Sequence, residues 1–375
     1  MIPYLVMKTE QKYKLFDSNE IEKYGKKDYF CISHLCKSNM RLRLNDPIMK
    51  KRILTTAGIG LSVLLTIGLA CYAIKQNDAL NDNYSQRCYY DNTLSAPYIP
   101  EQLTFAGEEV PLDVYWVRES LDRELIGVCY QHSLTLMTFK LSGRWLPVIE
   151  PILKEEGLPD DFKYLCMAES NLRQVVSPAK AVGFWQFMDA TAKLYGLEVR
   201  EDVDERYHVE KATRAACRYL KGSKERLGSW ALAAAAYNMG EGGVKKNMTA
   251  QSCDNYWDLY LNQETARYMY RILAYKCIFE NPQQYGVRLT KADLYSPIPT
   301  KEVEVTTSIT DLYKFAQDHN TTYRELKELN PWLRSKKLTV GEKKYTIKVP
   351  QKSKESFFNL FRSNHNTYQH IGDTL

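Results

Sequence analysis

The sequence predicts a mainly α fold. An all-helical domain covers residues 111–285, a small β-α-α-β unit covers 300–350, and an apolar segment of membrane length precedes both. Three observations carry that prediction. Apolar residues recur at steps of three and four between Pro111 and about Tyr285, which is the spacing of one helix face. Alternation with a period of two appears after Tyr285, in KEVEVTT from Lys301 and in KKYTIKVP ending at Pro350, as a strand requires. Ile53 to Ile74 is an uncharged run of 22 residues.

The chain has 375 residues, 44% of them hydrophobic, enough for two modest domains with a real core. Residues 1–52 carry 12 Lys and Arg against 6 Asp and Glu, leaving 39 of the 51 basic and 39 of the 45 acidic residues beyond them. The whole net charge of +6 therefore sits at the N-terminal end. A nucleic-acid binder carries its excess as a patch on a folded domain, so no nucleic-acid partner is expected. The charge instead flanks the apolar run, between Lys50-Lys51-Arg52 and Lys75. As a helix, residues 53–74 span roughly 33 Å, a bilayer core. Basic residues on the N-terminal side place the following chain outside the cytoplasmic membrane.

Two readings of that run stand: a retained transmembrane helix, or an export signal beginning near Met49, which makes residues 1–48 a matter of start-site choice. Gly68-Leu69-Ala70-Cys71 is a poor lipoprotein cleavage box, with glycine where leucine is usual. Every version delivers residues 76–375 across the membrane. Residues 75–110, rich in Asn, Asp, Tyr, Ser and Pro with little periodicity, read as a tether.

The helices follow in order. Val117, Leu121, Leu125 and Val128 form one apolar ladder, and Leu146, Ile149 and Leu153 a second. Gly157 and Pro159 end that helix and start the one bearing Tyr164 to Glu169. Further helices are expected over 187–195, 209–227, 230–238 and 263–279. In the C-terminal unit, Ile309 to His319 and Tyr323 to Leu329 read as two short helices between the strands, and residues 351–375 as a polar tail. Of nine cysteines, six follow the apolar run: Cys88, Cys129, Cys166, Cys217, Cys253 and Cys277. An even number in an exported region permits disulfides in 15 pairings, and buried free thiols in apolar helices fit equally well. No Cys or His cluster has metal-ligand spacing, so neither a metal nor a cofactor is expected.

Glu169 is the residue that raises a chemical question. It follows the apolar run Tyr164 to Ala168 near the C-terminal end of its helix. Lost hydration and the negative end of the helix dipole both raise a carboxyl pKa there, as a general acid requires. A surface glutamate that merely ends a helix is the structural alternative.

The ordered motifs favour the acid. Glu169-Ser170, then Ser177-Pro178-Ala179-Lys180-Ala181-Val182-Gly183, then Gln186, then ALAAAAYNMGEGGV at 231–244 resemble the soluble-lytic-transglycosylase domains. These are goose-lysozyme-like enzymes that cleave peptidoglycan. ATRAACRYLK at 212–221, NYWDLYL at 255–261, ETARYMYRIL at 264–273 and IPEQLTFAGEEVPL upstream extend the resemblance over roughly 98–285. It is closest to the membrane-bound murein transglycosylase type. The resemblance implies a lysozyme-like all-helical catalytic domain with Glu169 as the single catalytic acid and base. It further implies that Ser170, Ser177 and Gln186 bind substrate, Ser170 and Gln186 through sugar or N-acetyl groups; for Ser170, satisfying backbone at a helix end is the alternative. Tyr237 and Asn238 are to line the cleft, Tyr268 to approach Glu169, and Phe184 and Trp185 to offer ring faces to the glycan. For Trp185 and Tyr268 a place in the core is the alternative. Gly240, Gly242 and Gly243 are expected to form a close-approaching loop. Lys180 departs from the pattern, standing where the family commonly has glycine; if φ is positive there, lysine costs about 1 kcal/mol or more.

One carboxylate is fewer than ordinary glycosidases use. In the family, that group protonates the β-1,4 oxygen after N-acetylmuramic acid. It then takes a proton from the same sugar's C6 hydroxyl, closing a 1,6-anhydro ring. A lysozyme-type hydrolase of the same fold and a non-catalytic peptidoglycan-binding protein are the alternatives. Residues 307–350, with ELKELNPWL and the closing IKVP, resemble a LysM module, a binder of N-acetylglucosamine-containing glycans. Ser308-Ile309-Thr310 replaces its usual Gly-Asp-Thr, and TYQHIGDTL at the end of the sequence resembles the opening of another such module. The implied partners are peptidoglycan glycan strands and, through residues 53–74, the membrane; the implied location is the cell-wall-facing side, periplasmic.

Overall fold

The computed structural model of the protein describes residues 95–351, together with residues 62, 65–69 and 72. Most of the apolar run 53–74, the basic segment before it and the tail after 351 lie outside the described residues. Among the described residues no helix is long and apolar enough to cross a membrane.

The tether expected over 75–110 does not persist to its end. Strands β1 (Thr104–Phe105) and β2 (Glu108–Glu109) pair antiparallel across Ala106 and Gly107, both at positive φ, as a tight hairpin turn demands. Phe105 is fully buried and meets Phe162 edge-on at 5.1 Å. Burying that ring, with Leu103 and Val110, outweighs the loop-like composition around it.

Helix α1 (Tyr115–Tyr130) buries its predicted ladder Val117, Leu121, Leu125 and Val128. Helix α2 (His132–Glu155) buries Ile149 and Leu153, with Leu146 half-buried. Helix α3 (Phe162–Ser170) follows and ends at Asn171, in the left-handed region at φ 53°, a conformation asparagine tolerates. After a loop come α4 (Asp189–Leu194), α5 (Val209–Leu227), α6 (Trp230–Met239), α7 (Glu241–Gln251) and α8 (Gln263–Glu280).

Two helices organise this domain. In α6, every residue from Ala231 to Ala236 is buried, because small side chains let neighbours close in on all faces. Its start is held by Ser229, which accepts from the Leu232 amide at 3.0 Å. The Glu108 carboxylate also accepts from the Trp230 and Ala231 amides at 2.7 and 3.2 Å, a negative charge at the positive helix end. Helix α8 buries most of its length and packs on α1, α3 and α6; Phe279 stacks on Phe139 at 3.8 Å.

Helix α7 is a correction. The glycines at 240, 242 and 243 were expected to form a loop, but only Gly240 has positive φ. Gly242 and Gly243 lie in α7, Gly243 against Met239. Glu241 anchors its first turn through Ser223 at 2.8 Å and the Arg226 guanidinium. The five described cysteines after residue 95, Cys129, Cys166, Cys217, Cys253 and Cys277, are free thiols.

The C-terminal unit is the predicted β-α-α-β: β3 (Thr300–Val305), α9 (Leu312–Asp318), α10 (Tyr323–Leu329) and β4 (Tyr345–Pro350). The strands are antiparallel, from Thr300 opposite Pro350 to Val305 opposite Tyr345. Asp311 and Thr322 cap the two helices by accepting from Tyr313 and Glu325 amides. Its apolar cluster of Leu312, Leu326, Trp332, Leu333 and Ile347 continues into Val182, Val203 and Tyr207 of the helical domain.

Candidate active site

Glu169 lies in the last turn of α3, half-buried. Its pKa is pushed up to about 7, chiefly by burial; the hydroxyl of Tyr268 and the charge of Arg271 pull it partly back, and Glu264 adds to the rise. The Tyr268 hydroxyl donates to Glu169 Oε1. Tyr268 projects from α8, buried, and its own pKa is raised first by burial and then by the charge of Glu169. Arg271, one turn further along α8, is held 3.5 Å from Glu124, which also binds Arg267 at 2.6 Å. The buried Glu124 thus engages the cation that would otherwise neutralise Glu169 most directly.

Tyr237, near the end of α6, completes the immediate surroundings. Its hydroxyl donates to the Trp185 carbonyl at 2.7 Å. Burial, and then the Glu169 charge, hold its phenol well above the ordinary range. A carboxyl that can exchange a proton near neutrality, with a phenol as hydrogen-bond donor, can act as acid in one step and base in the next.

The loop from Leu172 to Phe187 borders this group. Ser177 closes a tight turn: its amide donates to the Ala181 carbonyl at 2.9 Å, and its hydroxyl accepts from the Ala181 amide at 3.0 Å. Lys180 is indeed at positive φ, 67°, so lysine stands where the backbone favours glycine. Gln186, also at positive φ, donates from Nε2 to the Val175 and Gly183 carbonyls at 3.1 and 2.7 Å. Gly183 is required by space as well as by conformation, because an added Cβ would lie 2.1 Å from the Arg206 carbonyl.

Glu169, Tyr268, Tyr237 and the 177–186 loop thus come together, but not every expected contact follows. Trp185 is fully buried, its indole donating to Thr213 Oγ1 at 2.9 Å, and Phe184 packs edge-on against Trp145 at 5.0 Å. Neither ring has a face to offer a glycan. They anchor the loop from inside, because enclosing a large ring outweighs exposing it. Ser170 is buried, its hydroxyl turned to the Cys166 carbonyl at 3.3 Å. Asn238 accepts from Thr265 Oγ1 at 2.8 Å, tying the end of α6 to the start of α8.

Sequence reasoning missed Arg206. It forks onto Asp204 at 2.9 and 2.7 Å and reaches the Phe187 and Lys180 carbonyls at 3.3 and 3.4 Å. In the sequence it is one charge among many in REDVDERY, a pattern that reads as a solvated face. The Asn171 bond to Tyr275 also went unseen, since its partners are 104 residues apart.

The site is a helical domain that holds a partly buried acid beside a glycine-dependent loop, an arrangement suited to acid–base chemistry. Residues 147–259 match the transglycosylase SLT domain, and residues 301–353 match the soluble lytic transglycosylase C-terminal LysM-like domain. The chain thus carries stretches that match a transglycosylase SLT domain and a LysM-like domain. Membrane-bound lytic murein transglycosylase D from Escherichia coli strain K12 is 28% identical over 289 residues, covering 75% of this chain and 62% of that protein. The protein of the same description from E. coli O6:H1 matches to the same extent. The chain thus spans less than two thirds of the length of these relatives.

Proposed function

We propose that this protein cleaves the β-1,4 bond between N-acetylmuramic acid and N-acetylglucosamine in peptidoglycan, as a lytic transglycosylase with Glu169 as its single acid and base. The observation that carries this reading is the carboxyl of Glu169, with its pKa near neutrality and a tyrosine hydroxyl as donor. Glu169 gives its proton to the glycosidic oxygen as the bond from muramic C1 breaks. The carboxylate so formed, stabilised by Tyr268, takes the proton of the C6 hydroxyl while that oxygen closes on C1. The anhydro product forms without water, and Glu169 ends protonated as it began. Gln186 and Tyr237 shape the bound glycan through the loop and the Trp185 carbonyl.

The relatives' description as membrane-bound and the apolar run at 53–74 support an anchored, cell-wall-facing placement, outside the cytoplasmic membrane. Digestion of purified murein sacculi followed by product mass analysis tests the reaction. Anhydro-muramoyl ends are expected from the wild type, with activity lost in Glu169→Gln. Reducing muramic ends would mean a hydrolase, and full activity in Glu169→Gln would remove Glu169 from the chemistry.

A further inference from the structure

The LysM-like module is seated on residues 198–210 of the helical domain. Leu333 bridges to Val203, the Asp204 amide donates to the Trp332 carbonyl at 2.9 Å, and the Arg334 amide donates to the Asp202 carbonyl at 2.9 Å. Asp202 Oδ2 also accepts from the Thr339 amide at 2.8 Å. Trp332, buried, lies 5.9 Å from the His208 ring and 5.8 Å from that of Tyr345. The Arg334 guanidinium sits 4.1 Å over the Tyr207 ring, and Lys348 pairs with Glu210.

The same segment grips the active-site loop. Arg206 binds the Lys180 and Phe187 carbonyls, the Tyr207 carbonyl accepts from Gln174 Nε2 at 2.8 Å, and the Arg206 carbonyl fills the space beside Gly183. Val182 lies in the module's own apolar cluster. One short stretch of chain is thus shared between the module and the loop that borders Glu169.

We propose that the LysM-like module is an intramolecular brace, and that Arg206 is the positioning residue through which its docking holds residues 180–187 in shape for the glycan. The substrate part of this inference rests on the activity proposed above. Residues 180–187 include two non-glycine residues at positive φ, Lys180 and Gln186, and no helix. Their shape is therefore maintained by what packs on them. Trp332 lies between the module's Tyr345 and His208 of the helical domain, so the ring takes part in docking as well as in the module's own core. Loosening the brace weakens glycan binding without touching the Glu169–Tyr268 pair, which stands on α3 and α8.

Hydrogen exchange and steady-state digestion of sacculi on the full chain test this. Arg206→Ala is expected to leave the Arg334 and Thr339 amides protected, while Val182, Gly183 and Phe187 exchange about tenfold faster. KM should rise about tenfold with kcat within about twofold, the pattern of lost uniform binding. The double variant Trp332→Ala/Lys348→Glu should free both sets of amides and raise KM alike. Interface amides that loosen while the loop amides and KM stay at wild-type values would overturn the brace. So would a double variant whose interface amides remain protected, because those contacts would then not dock the module. A wild-type protein that fails to digest sacculi refutes the proposed activity instead, and the exchange result still decides the brace.

Discussion

A carboxyl held partly out of water should cost the fold stability, and Glu169→Gln measures that cost. Its pKa is about 7 in the folded protein against 4.5 for the free side chain. The unfolded chain therefore releases this proton first as pH rises, and stability falls between the two values and levels off above the higher one. At 1.36 kcal/mol per pKa unit the loss is about 1 kcal/mol at pH 5 and about 3 kcal/mol at pH 8. Glutamine keeps the size and an acceptor for Tyr268 but cannot ionise. The variant should gain about 2–3 kcal/mol relative to wild type on going from pH 5 to pH 8. Any pH-independent effect of the substitution cancels in that difference. Urea unfolding of both proteins at the two pH values, followed by tryptophan fluorescence, reads it directly. An equal difference at both pH values would refute the claim that burial holds the Glu169 proton.

Two further outcomes follow from the same geometry. Tyr268→Phe removes the hydrogen bond that lowers the Glu169 pKa, so the alkaline limb of kcat/KM should move up by about one to two pH units; a limb that stays in place would disconnect the two residues. Lys180→Gly relieves left-handed strain, partly offset by a more flexible unfolded chain, for a net gain of about 0.5–1 kcal/mol in thermal or urea unfolding.

The helices were legible because each buries a ladder written at steps of three and four, and because breakers such as Gly157 and Pro159 stand between them. Helix α7 was not, since two glycines in its first turn outweigh its few apolar residues in any local reading. Glu169 was legible as a dehydrated acid from the apolar residues before it. Its partner Tyr268 lies 99 residues away, and only ordered motifs could suggest that pairing. The docking of the two domains left no local mark. Val203 and Tyr207 look like ordinary apolar residues in a charged loop, and their burial depends on a module more than 90 residues downstream.

The distribution of backbone strain explains why the loop needs so many anchors. Of the seven described non-glycine residues at positive φ, Asn171, Leu172, Lys180 and Gln186 lie between the acid and the end of its loop. Left-handed conformations cost roughly 1–2 kcal/mol each for residues with a side chain, so this segment would not hold its shape alone. Phe184, Trp185 and Phe187 offset that cost by burial, and Arg206 adds its grip on two carbonyls from outside. The rings that resemble a glycan platform in the sequence are therefore turned inward by necessity. What they deliver outward is backbone: the Trp185 carbonyl that fixes Tyr237, and the turn that fixes Gln186. The proposed site thus sets a strained loop, held from within by aromatic rings and from without by Arg206, beside an acid whose hydrogen bond comes from α8.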